Sequence, residues 1–174
     1  MELTDGSRDI VKGLGYLALG TRLRRLGERL QSQTQALLEE AGITLPASYF
    51  PYLAALDRLG SASVGDLTEA VGLSQPGVTR VLDKLQEDGL IQPQPHADDR
   101  RVRTVALSRS GQQLVTRTKN AVWPMIEAAV ADACSGTGGS LLAQLTALED
   151  ALATASLSNR ARGMRARSKG NAVA

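Results

Sequence analysis

Between Ser63 and Gly89 two short apolar periodicities are separated only by Gly72-Leu73-Ser74. That spacing requires a sharp turn between two helices. Ser63 can cap the first helix, and Asp66 stands three residues on, the reciprocal spacing of a capping box. Leu67, Ala70 and Val71 then recur at i, i+3 and i+4 and make one apolar face. Gly72 supplies a residue that tolerates a left-handed turn. Ser74 is placed to cap the second helix, and Pro76 falls in its first turn, where a missing N–H costs little. Val78, Val81, Leu82 and Leu85 form the buried face of that helix, and Gly89 ends it. Its outward positions carry Gln75, Gly77, Thr79, Arg80 and Lys84, with Ser74 at its head. Short polar side chains near a helix N-terminus, followed by a base, suit a helix laid into the major groove of DNA. The plainer alternative is a helical hairpin buried in an all-α core.

The next segment argues against that alternative. Leu90-Ile91 opens an extended run, and Arg103-Thr104-Val105-Ala106-Leu107 is a second one, with Val105 and Leu107 on one face. Pro95-His96-Ala97-Asp98-Asp99-Arg100-Arg101 lies between them, too charged to bury. Pro93 and Pro95 are two apart, which suits an edge strand. A hairpin tipped by adjacent arginines directly after a helix-turn-helix reads as a wing. The guanidinium groups of Arg100 and Arg101 are suited to a narrow minor groove, where negative potential is concentrated.

The run LTEAVGLSQPGVTRVLDKLQEDGLI followed by DDRRVRTVALSRSG resembles the MarR (multiple antibiotic resistance regulator) family of winged-helix transcription factors. Asp99-Arg100-Arg101 and Leu107-Ser108-Arg109-Ser110-Gly111 match that family's Asp-Arg-Arg and Leu-Thr/Ser-x-x-Gly motifs in order and spacing. The close match covers roughly residues 63–115, while the flanking helices match in length and order. Thr68, Gly77 and Gln92-Pro93 depart from the residues commoner in the family. The resemblance implies a dimer formed by the first and last helices. It also implies small-molecule effectors, phenolic compounds among them, held near the helix that carries Tyr49, Phe50 and Tyr52. Trp123 is a candidate further wall of that pocket.

Outside this stretch, Leu19, Leu23, Leu26, Leu30, Leu37 and Ala41 mark one long helix from Ile10 to Ala41. Gly13, Gly15, Gly20 and Gly27 interrupt it and suggest a bend or close helix crossing. Arg22, Arg24, Arg25 and Arg29 are read as its solvated face. Gly42 ends it. A helix beginning at Thr44-Leu45-Pro46 runs to Leu59. After Gly111 a long amphipathic helix is expected to kink at Pro124. Ser135-Gly136-Thr137-Gly138-Gly139 is a connector. Leu141, Leu145, Leu148, Leu152 and Ala155 mark a last helix whose apolar stripe calls for a partner subunit. Residues 1–9 are expected to be disordered. So is the basic tail over 159–174, where a phosphate-binding arm is the alternative to a mere solubility role.

With 174 residues, 43% apolar and 22% charged, the chain can bury a real core. A formal net charge of +2 does not by itself point to nucleic acid. One cysteine, Cys134, excludes an internal disulfide framework, and no apolar run is long enough to span a bilayer. Both features fit a cytoplasmic protein. The single histidine, His96, has no triad or metal-ligating partners, and no phosphate loop or dinucleotide fingerprint is present. No enzyme, metal or cofactor is expected.

The sequence therefore predicts a mainly α fold with a small two- or three-stranded β-wing. Residues 43–111 form a winged helix-turn-helix, and 10–42 with 112–158 form a helical dimerisation region. The expected partners are double-stranded DNA, a second copy of the chain and a small aromatic effector. The function read from these features is transcriptional repression by a homodimer on a pseudo-palindromic operator. The rival is a winged-helix protein-interaction module that no longer binds DNA.

Overall fold

The computed structural model describes residues 9–95 and 103–171. The chain divides into two compact units, Met1–Glu127 and Ala128–Ala174. The N-terminal helices share the first unit with the winged helix.

The single long helix expected from Ile10 is broken. Helix α1 (Ile10–Gly13) and a 3-10 turn (Gly15–Ala18) precede α2 (Leu19–Glu40). The break falls where Gly15 takes a φ of +54°, which no continuous α-helix accepts. Gly20 and Gly27 approach nothing within 4 Å, so neither marks a close crossing inside this chain. Arg25 is not simply solvated. Its guanidinium donates to both carboxylate oxygens of Asp9, at 2.7 and 3.2 Å, and so ties the cap of α1 to α2. This hydrogen bond holds the Asp9 carboxyl below the usual carboxylate range, outweighing the opposing effect of burial. Gly42, at φ +70°, turns the chain out of α2 as expected.

A 3-10 turn (Ala47–Tyr49) leads into α3 (Phe50–Leu59), a later helix start than Thr44-Leu45-Pro46 suggests. After β1 (Ser61–Ser63) come α4 (Val64–Val71) and α5 (Gln75–Glu87), then β2 (Ile91–Gln94) and β3 (Thr104–Leu107). The sheet is antiparallel in the order β1-β3-β2, with Ala62 and Pro93 both opposite Val105. Pro93 therefore sits on an edge strand, where a missing N–H is tolerated. The core is continuous through this lobe. Leu53, Leu56, Leu67, Val78, Leu82, Leu85, Val105 and Val115 are all buried. Thr104 Oγ1 is buried without a hydrogen-bond partner among the described residues, a local cost of about 1–3 kcal/mol at the base of the wing.

Helix α6 (Arg109–Ala121) begins on a lock built by the Leu-Ser-x-x-Gly segment. Ser108 Oγ accepts from the Gly111 N–H at 3.0 Å and donates to the Gly89 carbonyl at 2.6 Å. Ser110 Oγ donates to the same carbonyl at 2.7 Å, and the Ser108 N–H donates to the Leu90 carbonyl. A Cβ at Gly111 would stand 2.0 Å from the Leu90 carbonyl oxygen. Only glycine lets α6 approach the end of α5 this closely. The expected kink at Pro124 takes the form of a break at Val122, after which α7 (Trp123–Cys134) carries the chain out of the first unit.

In the second unit, Ser140 caps α8 (Leu141–Thr154). Leu141, Leu145, Leu148 and Ala155 are half-buried, while Leu152 of the predicted stripe is exposed. The tail expected without structure is instead helical over α9 (Leu157–Asn171).

Gly111→Ala is expected to destabilise the first unit by about 3 kcal/mol, the upper end for overpacking against rigid backbone. Thermal unfolding should show a melting temperature roughly 6–12 °C lower. An unchanged value would mean that α6 does not need this approach.

Candidate nucleic-acid interface

The helix-turn-helix forms as its sequence dictates. Asp66 accepts from the Ser63 N–H at 2.8 Å and the Asp66 N–H donates to Ser63 Oγ at 3.1 Å, closing the capping box. Gly72 takes the left-handed conformation, with φ of 66° and ψ of 25°. Ser74 holds the N-cap position of α5, but its hydroxyl makes no capping hydrogen bond. It is exposed and free to meet a ligand instead.

Helix α5 divides cleanly into two faces. Val78, Leu82 and Leu85 are fully buried and Val81 half-buried, which fixes the helix on α4 and the core of the lobe. Ser74, Gln75, Arg80 and Lys84 are exposed, and Gly77 and Thr79 are half-buried. Thr79 Oγ1 donates to the Gln75 carbonyl at 3.0 Å, so the hydroxyl keeps only its acceptor capacity for a ligand. A Cβ at Gly77 would meet nothing closer than Ser74 Oγ at 3.4 Å, so no contact within the chain demands glycine there.

The two cations of α5 differ. Arg80 makes no hydrogen bond or ion pair among the described residues. Lys84 pairs with Asp88 at 3.0 Å and Glu87 at 3.5 Å, and Asp88 in particular raises its pKa. It also borders a polar cavity of about 450 Å³ lined by Gly42 to Pro46, Leu90, Leu114 and Arg117. Its charge is largely answered within the protein.

Arg103 carries no functional signal in the sequence, yet it has a defined place here. Its Nη1 donates to Asp83 Oδ1 at 2.7 Å and its Nη2 to Gln86 Oε1 at 3.1 Å. These contacts fasten the base of the wing to the exposed side of α5. Asp83 and Gln86 are three apart on that helix, but no local pattern links them to a strand residue far along the chain. Arg100, Arg101 and His96, the predicted wing tip, lie outside the described residues.

The predicted aromatic pocket is only partly assembled. Phe50 and Trp123 meet edge to face, with ring centroids 6.4 Å apart. They share a cavity of about 280 Å³ with Thr34, Leu38, Ala47, Pro51, Ala54 and Ile126. Tyr52 does not join them. It is 2% exposed within the core, where burial and then Tyr49 push its phenol pKa up. Tyr49 is half-buried and does not line the cavity either. Leu38, Thr34 and Ile126 complete the pocket without any chemical signal in the sequence, because apolar lining residues look like core. Among the described residues no helix is long and apolar enough to cross a membrane, and no cluster of His, Cys, Asp or Glu could hold a metal ion.

Comparison with known proteins places this geometry. Residues 41–102 match the sequence model of the MarR family. Among solved structures, BpsR of Bordetella bronchiseptica is 25% identical, with a TM-score of 0.63 over 79% of this chain and 94% of its own. Its structure was described as a mechanism for regulation of DNA binding by 6-hydroxynicotinic acid. The transcriptional regulator BldR of Sulfolobus solfataricus is 19% identical, with a TM-score of 0.61 over 86% of this chain and all of its own. A cysteine-to-serine variant of MarR from E. coli, solved with operator DNA, is 20% identical, with a TM-score of 0.58 over 75% of this chain and 93% of its own.

The Arg103 clamp is solvent-exposed, and exposed pairs contribute under about 1 kcal/mol. Arg103→Ala should therefore leave the melting temperature within about 4 °C of the parent. It should speed hydrogen exchange at the amides of β2 and β3. Unchanged exchange would show that the wing base is held by the sheet alone.

Proposed function

We propose that this chain is a DNA-binding transcriptional regulator of the MarR type that acts as a homodimeric repressor on a pseudo-palindromic operator, a reading supported by the match of residues 41–102 to the MarR family model. The observation that carries the reading is the division of α5. Three fully buried side chains anchor it, while Gln75 and Arg80 face outward near its N-terminal half. In this reading α5 lies in the major groove, and Ser74, Gln75, Gly77 and Thr79 approach bases or backbone. Arg80 contacts guanine or phosphate, and Arg100 and Arg101 reach the flanking minor groove. Lys84 contributes less, since Asp88 and Glu87 already hold it.

The dimer is supported by apolar surface that this chain leaves uncovered. Ile10, Leu17, Leu26 and Leu30 are 74%, 85%, 51% and 45% exposed, a costly arrangement for a helical arm that ends in water. Two-fold pairing would set two copies of α5 about 34 Å apart, one turn of DNA.

The cavity beside Phe50 and Trp123 takes the effector. No charged side chain lines it, so it suits a small neutral aromatic compound and not a carboxylate. Its volume is ample for one ring, since an apolar cavity of about 150 Å³ already admits benzene. A ligand there bears on α2, α3 and α7, and shifts the spacing of the two recognition helices if it binds one arrangement better.

Titration of the chain's own upstream DNA and of random duplex tests the central reading. Upstream DNA should bind more tightly, at two subunits per site, and Arg80→Ala should weaken that binding by about 1–3 kcal/mol. Absence of binding to both duplexes would favour the protein-interaction module.

Trp123 is the only tryptophan, so its fluorescence reports on the cavity alone. Phenol or indole should quench or shift it saturably and lower the affinity for upstream DNA, while benzoate should act far more weakly. Equal responses to neutral and anionic ligands would contradict the assignment.

A further inference from the structure

Two stretches hold cations without any acid: residues 100–126, with six Arg or Lys, and the C-terminal segment. Residues 157–174 hold five Arg or Lys and no Asp or Glu, leaving fifteen cations against all eighteen acidic residues over 1–156. The rest of the chain therefore carries a formal charge of −3. The winged helix does not escape this balance, since residues 43–111 contain seven Arg or Lys and eight Asp or Glu. A surface of that charge supplies little long-range attraction to DNA, although attraction to phosphates sustains non-specific binding.

None of the side chains described in helix α9 is buried. Leu157 and Met164, its only large apolar residues among those described, are 71% and 67% exposed. Gly163 lies in its middle, and positions 162 and 165, like 165 and 169, set cations one turn apart with no acid between. An isolated helix of this length is marginal in water even with good formers. One cation has an internal role: Arg160 donates to the Ala155 carbonyl at 3.0 Å and to that of Ala151, closing the last turn of α8. Arg162 and Arg165 are exposed and make no hydrogen bond or ion pair among the described residues.

We propose that α9 is a second DNA-binding element, a basic arm that follows the phosphate backbone of the bound duplex. The arm rests on the DNA-binding reading above. Its ligand is the polyanionic strand itself. It binds without reading sequence, neutralises the repulsion between like charges along the helix, and adds to the salt-dependent part of the affinity. An anionic membrane is the poorer match, because an interfacial helix needs an apolar face rich in Leu, Phe or Trp. Positions 158–171 offer only Met164 among large apolar residues.

The test compares the full chain with its R162Q/R165Q/R167Q/K169Q variant on random and upstream duplexes between about 50 and 200 mM salt. Every phosphate that is no longer neutralised lowers the slope of log affinity against log salt by about 0.9, so the slope should fall by roughly 2–4 per subunit. Random-duplex affinity should drop at least about tenfold at the lower salt, while the ratio of upstream to random binding holds or rises. An unchanged melting temperature certifies the fold of the variant. Parental slope and affinity in the variant would overturn the arm while leaving the winged-helix reading intact. If the parent binds neither duplex, the DNA reading itself falls and the arm with it. Tail-dependent binding to phosphatidylserine vesicles, with duplex binding unaffected by the four substitutions, would overturn the proposal in favour of a membrane.

Discussion

The approach of Gly111 to the Leu90 carbonyl holds the rest of the structure in register. A methyl group there would sit 2.0 Å from backbone oxygen, so the start of α6 can lie against the end of α5 only because residue 111 has no side chain. Ser108 and Ser110 then satisfy the Gly89 carbonyl, and Ser108 also caps α6. The end of α5, the exit into β2 and the entry to α6 thus meet at one point. The Leu-Ser-x-x-Gly motif is a physical requirement of that junction: leucine for the core, serine for two hydrogen bonds and glycine for space.

From this junction the orientation of α5 follows. Its buried side chains set its roll, and the junction sets its axial position. The Arg103 clamp then joins the wing to the side of α5 that carries Asp83 and Gln86. The same lobe contacts α2 through Arg117, which donates to the carbonyls of Ala41 and Gly42 at the end of that helix. Arg117 thus links α6 to the end of α2, and the Phe50–Trp123 cavity is lined by residues of α2, α3 and α7.

Much of this is legible in the residues. Ser63, Asp66, Gly72 and Pro76 act locally, through hydrogen bonds and backbone preferences spanning three or four residues, and the structure forms the helices they specify. Val78, Leu82 and Leu85 are legible for the same reason: a 3.6-residue period needs no knowledge of the partner. What stays hidden depends on contacts distant in sequence. The Arg103 clamp, the pairing of Arg25 with Asp9 and the third strand at Ser61–Ser63 all require knowing which segments become neighbours. Tyr52 reads as a pocket residue but sits in the core, because an aromatic on a core face and one on a cavity wall have the same spacing. The glycines of the first helical stretch point to a bend without placing it, since propensity alone does not reveal that Gly15 is the one among them with a positive φ. Composition points to disorder in the basic tail, and composition does not exclude a helix.

In the proposed function α5 and the wing act as one DNA-reading surface, repeated by two-fold symmetry. Hydroxyl-radical footprinting of the upstream region tests that most directly. Two protected half-sites centred about 10 bp apart on one face of the duplex, with flanking protection in the minor groove, are the predicted result. Uniform protection without that spacing, or none at protein concentrations that saturate the dimer, would contradict it.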